Sequence, residues 1–543
     1  MRATTRPILA AFLVVLTVLA AAAPAAARPP ATIEWQPCAD NPTAQCGTLS
    51  VPIDWTDPYS PRIDLAVARR PATDPARRIG ALIVNPGGPG GSGVDFAVDA
   101  DAFFSATLRA RFDVVGFDPR GVSRSHPVIC SSTLVAAAPD PLIAGPAQYD
   151  ATVAYNRKLA ADCRRRTGPL FGHVDTLSVA RDMDAIRAAL GEEKISFYGA
   201  SYGTLLGAQY AQLYPRRIRA VVLDSVMDHS ADVDDFLGTE TAATQDAFDQ
   251  FAAWCDREVV CVLHGHDVRA IWAQLLARAA AGTLIDPYQP AKRLTAYAFL
   301  QVAFTSYYEP QWYALAYYLR EASILQPAAG KPVTAEPVTA KPVTGEPVAG
   351  AVIEHGFAAM FCADWALPVR GYPDLAARLA ALRLKAPQML ASPLALSATV
   401  GCLGWPAKPA DPQRDLRPVA TGVLVVNAKH DPATAYAWAR HVAAQLGPAA
   451  RLITYDGWGH IAYGRTGCVT GTIDTYLITD RTPAPGTACP GVLPPPFGVG
   501  KKARRGGVGW GIANWGIVSQ ANYTGFASGG AVESPRPESV HRP

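Results

Sequence analysis

Ile195-Ser-Phe-Tyr-Gly-Ala-Ser-Tyr-Gly-Thr204 is the stretch that decides how the rest of the chain is interpreted. A short apolar run ends there in Gly-x-Ser-x-Gly, and a helix-like segment follows at once. A serine on such a tight strand-to-helix turn exposes its hydroxyl, an arrangement called a nucleophile elbow. Gly199 and Gly203 leave room where the strand and helix backbones pass close together. The pattern therefore predicts Ser201 as a catalytic nucleophile.

A serine hydroxyl is a poor nucleophile near neutral pH, so it needs a neighbouring base and an acid that orients the base. In sheet enzymes with this elbow, the order along the chain is serine, acid, histidine. A buried strand-like run, Gly422 to Asn427, ends in a turn that carries Asp431, and a later run ends in a glycine-flanked loop that carries His460. We predict Asp431 as the acid and His460 as the base.

Alternatives remain for both roles. Asp224 also ends a strand-like run and is a second candidate for the acid, while Asp431 taken alone is compatible with a simple helix cap. His430 is a second candidate for the base. Asp456 lies too close to His460 in the sequence to orient it.

The glycine-rich segment Asn85-Pro-Gly-Gly-Pro-Gly-Gly-Ser-Gly93 follows another apolar run. Acyl transfer needs fixed N–H donors for the oxyanion of its transition state. We predict the backbone N–H groups of Gly88 and Tyr202 as these donors. A plain turn or a phosphate-binding loop is the alternative, but the Gly-Lys-Ser/Thr of such a loop is absent.

Short continuous apolar runs are typical of strands that helices bury on both faces, as in a mainly parallel sheet. The chain has five of them: Ala81–Val84, Phe112–Phe117, Ile195–Tyr198, Ile218–Leu223 and Gly422–Asn427. Helical patterns such as Ser178 to Leu190 lie between them, and two alternating segments, Gly47–Trp55 and Arg62–Arg70, read as half-buried strands. The fold class predicted is therefore α/β, with a mainly parallel sheet flanked by helices.

The strand signal fades after Met227, where helix formers and aromatic residues dominate, which predicts an inserted helical cap domain. Within it, Pro-Val recurs every five residues between 331 and 350, three times as Pro-Val-Thr and once as Pro-Val-Ala, and proline at that spacing forbids a helix. The sequence thus predicts five parts. They are a signal peptide (1–27), the first part of the α/β core (28–226), the cap (227–418) with its repeat (331–350), the second part of the core (419–490) and a low-complexity tail (491–543).

The amino terminus has the form of a secretory signal. Arg2 and Arg6 precede an apolar segment, and Ala25-Ala26-Ala27 offers a small-residue cleavage site. Because the apolar run is shorter than the ~20 residues that span a bilayer, we expect no membrane span and a protein secreted to the cell wall or beyond. The net charge of +3 gives no indication of a nucleic-acid partner. We expect a monomer.

Ten cysteines agree with an oxidising compartment. Pairing of neighbours along the chain is the simplest of many arrangements: Cys38 with Cys46, Cys130 with Cys163, Cys255 with Cys261, Cys362 with Cys402, and Cys468 with Cys489. No Cys-x-x-Cys or His-x-x-x-His occurs, so we expect no metal and no cofactor.

Taken together, the chain resembles the secreted tripeptidyl aminopeptidases of the α/β-hydrolase fold, relatives of proline iminopeptidase, from about Ile33 to Gly491. The resemblance rests on seven segments: Asn85 to Gly93, Asp118-Pro-Arg-Gly121, Asp182 to Arg187, Gly199 to Thr204, Cys362-Ala-Asp364, Asp431-Pro-Ala-Thr434, and Gly459-His460 with Cys468. Ser123 and Ala435 depart from the family pattern, as do the repeat and the tail. The resemblance implies the roles of Ser201, Asp431 and His460 and a bond between Cys468 and Cys489.

An aminopeptidase must hold the ammonium group of its substrate, and Glu354 and Asp364 in the cap are the candidates for that contact. We predict an exported serine exopeptidase whose partners are peptides with free amino termini, with tripeptides as the products. The alternative is a secreted carboxylic ester hydrolase with the same triad, since the same oxyanion chemistry serves esters. A surface protein that kept the fold but lost activity is a third hypothesis.

Overall fold

The computed structural model describes residues 32–325 and 351–494. The predicted signal peptide, the repeat at 331–350 and the tail from residue 495 onward lie outside the described residues. The boundaries given to the five parts stay a prediction.

The core of the structure is one ten-stranded sheet with the strand order β1-β2-β3-β5-β4-β7-β8-β12-β13-β14. The strands are β1 (Gln36–Pro37), β2 (Gln45–Pro52), β3 (Arg62–Arg70), β4 (Gly80–Asn85), β5 (Phe112–Phe117), β6 (Ile129–Ser131), β7 (Ile195–Ala200), β8 (Ile218–Asp224), β9 (Ile285–Asp286), β10 (Gln289–Arg293), β11 (Val352–Glu354), β12 (Val423–His430), β13 (Ala450–Trp458) and β14 (Ala488–Pro490). The pairings from β5 through β14 are parallel, and those among β1, β2, β3 and β5 are antiparallel. The predicted α/β class with a mainly parallel sheet is confirmed.

Helices cover both faces of this sheet, and further helices lie in the segment between β8 and β12. They are α1 (Gly93–Val98), α2 (Ala100–Phe103), α3 (Ala106–Arg109), α4 (Ser132–Ala136), α5 (Pro146–Thr167), α6 (Thr176–Ala189), α7 (Gly203–Leu213), α8 (Val233–Arg257), α9 (Val268–Ala280), α10 (Ala296–Tyr308), α11 (Trp312–Ile324), α12 (Phe357–Asp364), α13 (Tyr372–Lys385), α14 (Pro393–Gly401), α15 (Tyr436–Leu446) and α16 (Gly467–Thr479). Side chains of α6, α7 and α15 pack on one face, and side chains of α1 and α16 pack on the other.

Alternate residues of each central strand enter opposite halves of the core. On β4, Ile83 packs with the α6, α7 and α15 side, whereas Leu82 packs with the α1 and α16 side. All six residues of β4 and of β7 are buried. This burial on both faces is the reason that the strands read as continuous apolar runs in the sequence.

Helices α8 to α14 lie between β8 and β12 in the chain, as expected for the inserted segment. Helices α8 to α11 share a separate aromatic core that includes Trp254, Trp272, Phe299 and Trp312, whereas α12 to α14 pack with the start of α8 and with Tyr202 and Leu205. The segment also contains three short strands: β9 and β10 pair with each other, and β11 pairs with β6. These strands are two to five residues long and largely polar or exposed, so they carry no alternating pattern.

The ten cysteines form five disulfides, each between neighbours along the chain, as in the simplest arrangement considered above. Two of them bear on the site. Cys362–Cys402 joins the α12 segment to the end of α14, and Cys468–Cys489 ties α16 to the edge strand β14.

Candidate active site

Ser201 occupies the tight turn between β7 and α7. Its backbone φ is +55°, a left-handed value that few residues other than glycine adopt, and its N–H donates to the carbonyl of Asp224 at 2.9 Å. A Cβ on Gly199 would lie 2.3 Å from the carbonyl oxygen of Gly203, and one on Gly203 would lie 2.7 Å from that of Asn85. The two glycines of the motif are therefore required by the close approach of the strands to the helix.

Asp431 and His460 meet at the carboxyl ends of β12 and β13. The Nδ1 atom of His460 lies 3.0 Å from each carboxylate oxygen of Asp431, and both side chains are buried. Asp431 also accepts the backbone N–H groups of Ala433 and Thr434 and the hydroxyl of Thr434, at 2.9, 3.0 and 2.8 Å. Burial acts to raise the pKa of Asp431, but His460 and these hydrogen bonds hold the pKa below its usual value. The carboxylate is thus ionised and oriented towards the ring.

The other ring nitrogen of His460, Nε2, is buried and has no hydrogen-bond partner among the described residues. The ring packs against Tyr308 with 4.4 Å between the centroids, and the backbone N–H of His460 donates to the carbonyl of Tyr308 at 2.8 Å. Burial raises the pKa of Tyr308 well above its usual value, the nearby carboxyls of Asp431 and Glu240 raise it further, and a hydrogen bond with Ser201 acts in the opposite direction. Tyr308 therefore packs on the ring of His460 and holds its backbone.

The alternatives considered for acid and base have other partners. Asp224 accepts the backbone N–H groups of Ala462 and Tyr463 at 2.9 Å each and the hydroxyl of Tyr198 at 2.8 Å, so it fixes the loop that follows His460. His430 pairs through Nδ1 with Asp246 at 2.6 Å. The structure therefore brings Asp431, and not Asp224, to the ring of His460.

The glycine-rich loop after β4 crosses the elbow at close range. A Cβ on Gly87 would lie 2.4 Å from the carbonyl oxygen of Ala200 and 2.7 Å from the backbone nitrogen of Tyr202. The N–H of Gly87 donates to the side chain of Asn85 at 2.9 Å. Gly88 and Tyr202 line the same pocket as Ser201, and among the described residues neither backbone N–H has an acceptor. Both predicted oxyanion donors are therefore unpaired at the site where they are needed.

Beside Ser201 lies a pocket that Gly88, Tyr202 and Glu240 also line. Its wall is mainly apolar and includes Met227, Phe236, Phe357, Phe361, Leu394 and Ala398. Glu240 on α8 is the carboxyl group in this wall, and it was not among the residues predicted from the sequence. The helical period offers a signal, because Glu240 lies four residues after Phe236 and eight before Phe248, on the buried face of α8.

The two carboxyl groups predicted to bind an amino terminus lie elsewhere. Glu354 on β11 is exposed and accepts a hydrogen bond from the backbone of Ser123. Asp364 is buried at the end of α12, where it accepts the N–H and the hydroxyl of Thr176 and the hydroxyl of Tyr202. It lines a second pocket, which the glycine-rich loop also borders, and neither acid is part of the wall beside Ser201.

Within residues 32–325 and 351–494, no three histidine, cysteine or acidic side chains are grouped as metal ligands. In the same residues no helix combines the length and the hydropathy needed to cross a bilayer.

A strand–serine–helix elbow, an acid and a histidine at the ends of later parallel strands, and a glycine-rich loop across the elbow are the features of one fold family. Residues 80–464 match the model of the alpha/beta hydrolase fold, and the chain belongs to this family. It is a serine hydrolase.

Three curated relatives cover most of the chain. It is 34% identical over 508 residues to the tripeptidyl aminopeptidase of Streptomyces lividans, across 87% of this chain and 88% of that protein. It is 32% identical over 493 residues to serine protease Hip1 of Mycobacterium tuberculosis H37Rv, across 84% and 91%. Carboxylesterase B of the same organism is 35% identical over 467 residues, across 82% and 86%. The predicted relationship to the tripeptidyl aminopeptidases is confirmed.

Proposed function

We propose that the protein is an exported serine exopeptidase that releases short peptides, tripeptides among them, from free amino termini. The observation that carries the proposal is the contact of His460 Nδ1 with both oxygens of Asp431, which leaves Nε2 without a partner among the described residues. Relatives named as a tripeptidyl aminopeptidase and a serine protease support a peptide substrate.

The chemistry follows from the positions of these groups. Ser201 Oγ attacks the scissile carbonyl carbon as its proton passes to Nε2 of His460, and the imidazolium is stabilised by Asp431. The oxyanion is held by the N–H groups of Gly88 and Tyr202. Collapse of the intermediate breaks the C–N bond, and His460 returns the proton to the leaving amine. Water then attacks the acyl-enzyme by the same route and frees Ser201.

Export is supported by the signal-like amino terminus and by five disulfides, which persist in oxidising compartments. The mass of the mature protein recovered from the culture medium or cell wall tests this part. A chain that begins after residue 27 is expected, and a full-length chain retained in the cytoplasm would contradict export.

A second candidate function is carboxylic ester hydrolysis. Two observations favour it: the wall beside Ser201 is mainly apolar, and one relative is named carboxylesterase B. The oxyanion chemistry is the same for esters and amides, so the triad does not separate the two.

The deciding experiment compares a free-amino tripeptidyl-coumarin amide, its N-acetylated twin and a short nitrophenyl ester. Wild type, Ser201→Ala and Ser123→Ala are assayed, because Ser123 also has a positive φ but lies outside the pocket. We expect preference for the free-amino amide, with loss of activity only in Ser201→Ala. Strong ester turnover with neither amide cleaved would replace the peptidase proposal with the esterase.

A further inference from the structure

Glu240 is a carboxyl group in the wall of an otherwise largely apolar pocket. Its side chain is almost completely buried, with 1% of the residue exposed, and it lines the same cavity as Ser201. Placing a carboxyl group in such surroundings is costly unless it is well paired. Its partners therefore decide what the group can do.

Only one of the two carboxyl oxygens is engaged. Oε1 of Glu240 accepts the hydroxyl of Ser392 at 2.7 Å and the backbone N–H of Ala395 at 3.1 Å. No donor among the described residues contacts Oε2. Burial raises the pKa of Glu240 well above its usual value, the hydrogen bonds lower it in part, and the charge of Asp431 raises it again. A cation in the pocket would supply the missing donor and the missing charge.

The carboxyl group is at the catalytic end of the pocket. Thr244, one helical turn after Glu240, donates its hydroxyl to the carbonyl of Glu240 at 2.9 Å and also lies 3.0 Å from the carbonyl of Pro432. Pro432 directly follows Asp431 in the chain. Glu240 is thus packed beside the turn that carries the acid of the triad.

We propose that Glu240 recognises a positively charged nitrogen in the acyl part of the substrate, the part that becomes attached to Ser201. This inference deepens the proposed function and rests on it. The nitrogen has two possible sources with the same chemistry: the free α-amino group, or the side chain of a lysine or arginine whose carbonyl is attacked.

The two sources differ in the distance between the charged nitrogen and the reacting carbonyl. An extended chain advances at most about 3.3–3.6 Å per residue, so the α-amino group of a tripeptide lies roughly 10 Å from the reacting carbonyl. A lysine side chain at the attacked residue branches from the carbon next to the reacting carbonyl, so its nitrogen reaches the pocket beside Ser201 over a shorter path. If Glu240 binds the α-amino group, loss of its charge affects lysine and methionine peptides equally; if it binds the side chain, the loss affects lysine peptides alone.

The test uses Glu240→Gln, in which the amide oxygen can still accept from Ser392 and Ala395 but carries no charge. Glu193→Gln, at an exposed acid, is the matched control. Substrates are Ala-Ala-Lys- and Ala-Ala-Met-coumarin amides, each free and N-acetylated, with Lys- and Met-coumarin amides for the single-residue case. Lysine and methionine side chains are both unbranched, and only lysine is charged.

We expect Glu240→Gln to lower the ratio of kcat/KM for cationic over neutral substrates by about 30-fold, within the range for hydrogen bonds to charged groups. A loss on Ala-Ala-Lys but not on Ala-Ala-Met within the free-amino pair assigns the side chain, and an equal loss on both free-amino peptides that their N-acetylated twins do not show assigns the terminus. An equal change in all substrates would overturn the proposal and leave Glu240 as a support for the start of α14.

A measurement on the wild type covers the case in which the variant does not fold or peptides are not cleaved. Hexylammonium and 1-hexanol are compared as inhibitors of nitrophenyl ester hydrolysis. Inhibition at least about tenfold stronger by the ammonium supports a cation receptor in the pocket. Equal inhibition contradicts it, and this result is independent of whether the natural substrate is a peptide.

Discussion

The hydroxyl of Tyr202 donates a hydrogen bond to Oδ2 of Asp364 at 2.7 Å, and both side chains are buried. Asp364 holds the N–H and hydroxyl of Thr176 as well, at 2.8 and 2.6 Å. The backbone N–H of Tyr202 is a proposed oxyanion donor. The hydrogen bond from the Tyr202 hydroxyl to Asp364 therefore anchors the residue that carries this donor to the end of α12. The Cys362–Cys402 disulfide holds the same helix to α14. We therefore expect Asp364 to act as a positioning residue for the proposed oxyanion hole.

Removal of the Tyr202 hydroxyl is predicted to destabilise the fold. In Tyr202→Phe, the buried carboxyl of Asp364 loses a donor, which costs about 1–3 kcal/mol in the free energy of unfolding. Urea unfolding measures the effect, and Tyr59→Phe, at a tyrosine that is 93% exposed, is the control. Equal stabilities of the two variants would contradict the importance of this contact.

The pairing of His460 with Asp431 predicts a large loss of activity in Asp431→Asn. An amide cannot stabilise the imidazolium and favours the wrong ring tautomer, so we expect kcat for the preferred substrate to fall by about 10⁴. Asp456→Asn is the matched control, since Asp456 is exposed and faces Lys429. A similar loss in both variants would argue against Asp431 as the orienting acid.

Substitution of two glycines in the loop after β4 allows the effect of backbone strain to be measured apart from the effect of steric contact. Gly87 and Gly90 both have positive φ, +88° and +103°, but a Cβ meets the backbone of Ala200 and Tyr202 at Gly87 and nothing within 4 Å at Gly90. Gly87→Ala is therefore expected to lower kcat at least about tenfold through displacement of the oxyanion donors, while Gly90→Ala pays only strain of order 1 kcal/mol. Steady-state kinetics and thermal unfolding of both variants provide the test. Equal kinetics would show that the loop has room to move.

The ion pair between Arg120 and Asp182 is fully buried, with contacts of 2.6 and 2.7 Å. Arg120→Met leaves the Asp182 carboxylate without its charge partner, which is expected to cost about 3–5 kcal/mol in the free energy of unfolding. Arg269→Met removes an exposed pair with Asp249 and should change it by less than about 1 kcal/mol. Denaturant titration of both variants checks the difference. A small effect at Arg120 would mean that water reaches this site.

Asp411 predicts a pH dependence of stability. Burial raises its pKa to about 6, although Arg414 lowers it in part. Between about pH 4 and 6 the native state keeps a proton that the unfolded state has lost, so stability falls as the pH rises through this window. The total is on the order of 3 kcal/mol, from a shift of about two pH units.

The asparagine amide in Asp411→Asn does not ionise, so the variant lacks this pH-dependent loss of stability. Its free energy of unfolding, relative to wild type, should therefore be up to about 3 kcal/mol higher at pH 7 than at pH 4. Asp415→Asn, at an exposed acid, is the control and should follow the wild-type curve. Parallel curves for wild type and Asp411→Asn would contradict the assignment of the proton to Asp411.

Much of the fold was predictable because its signals are local. Each central strand is buried on both faces, so β4, β7 and β12 read as apolar runs without any knowledge of their neighbours. The elbow was predictable for the same reason, since close contact between β7 and α7 requires glycines within a few residues of Ser201.

Less of the candidate site was predictable, because its polar contacts join distant parts of the chain. Tyr202 and Asp364 are 162 positions apart, and Ser392 and Glu240 are 152 apart. Asp364 belongs to a motif of the resemblance, but the motif did not indicate that it binds Tyr202 and Thr176 instead of a substrate. Tyr308 carries no sequence signal at all, because an aromatic residue on α10 reads as core.

The sequence by itself determined the order of strands and helices, the elbow at Ser201 and the chain order of serine, acid and histidine, because these depend on residues close together in the chain. Only the tertiary structure decided that Asp431 and not Asp224 meets His460. It also decided that Asp364 lies next to the glycine-rich loop and that Glu240 lines the pocket beside Ser201. Parallel strands bring their carboxyl ends to one edge of the sheet, and the packing of α8 and α12 over that edge selects which side chains reach it. That selection depends on burial and hydrogen bonding across long chain separations, which no local pattern encodes.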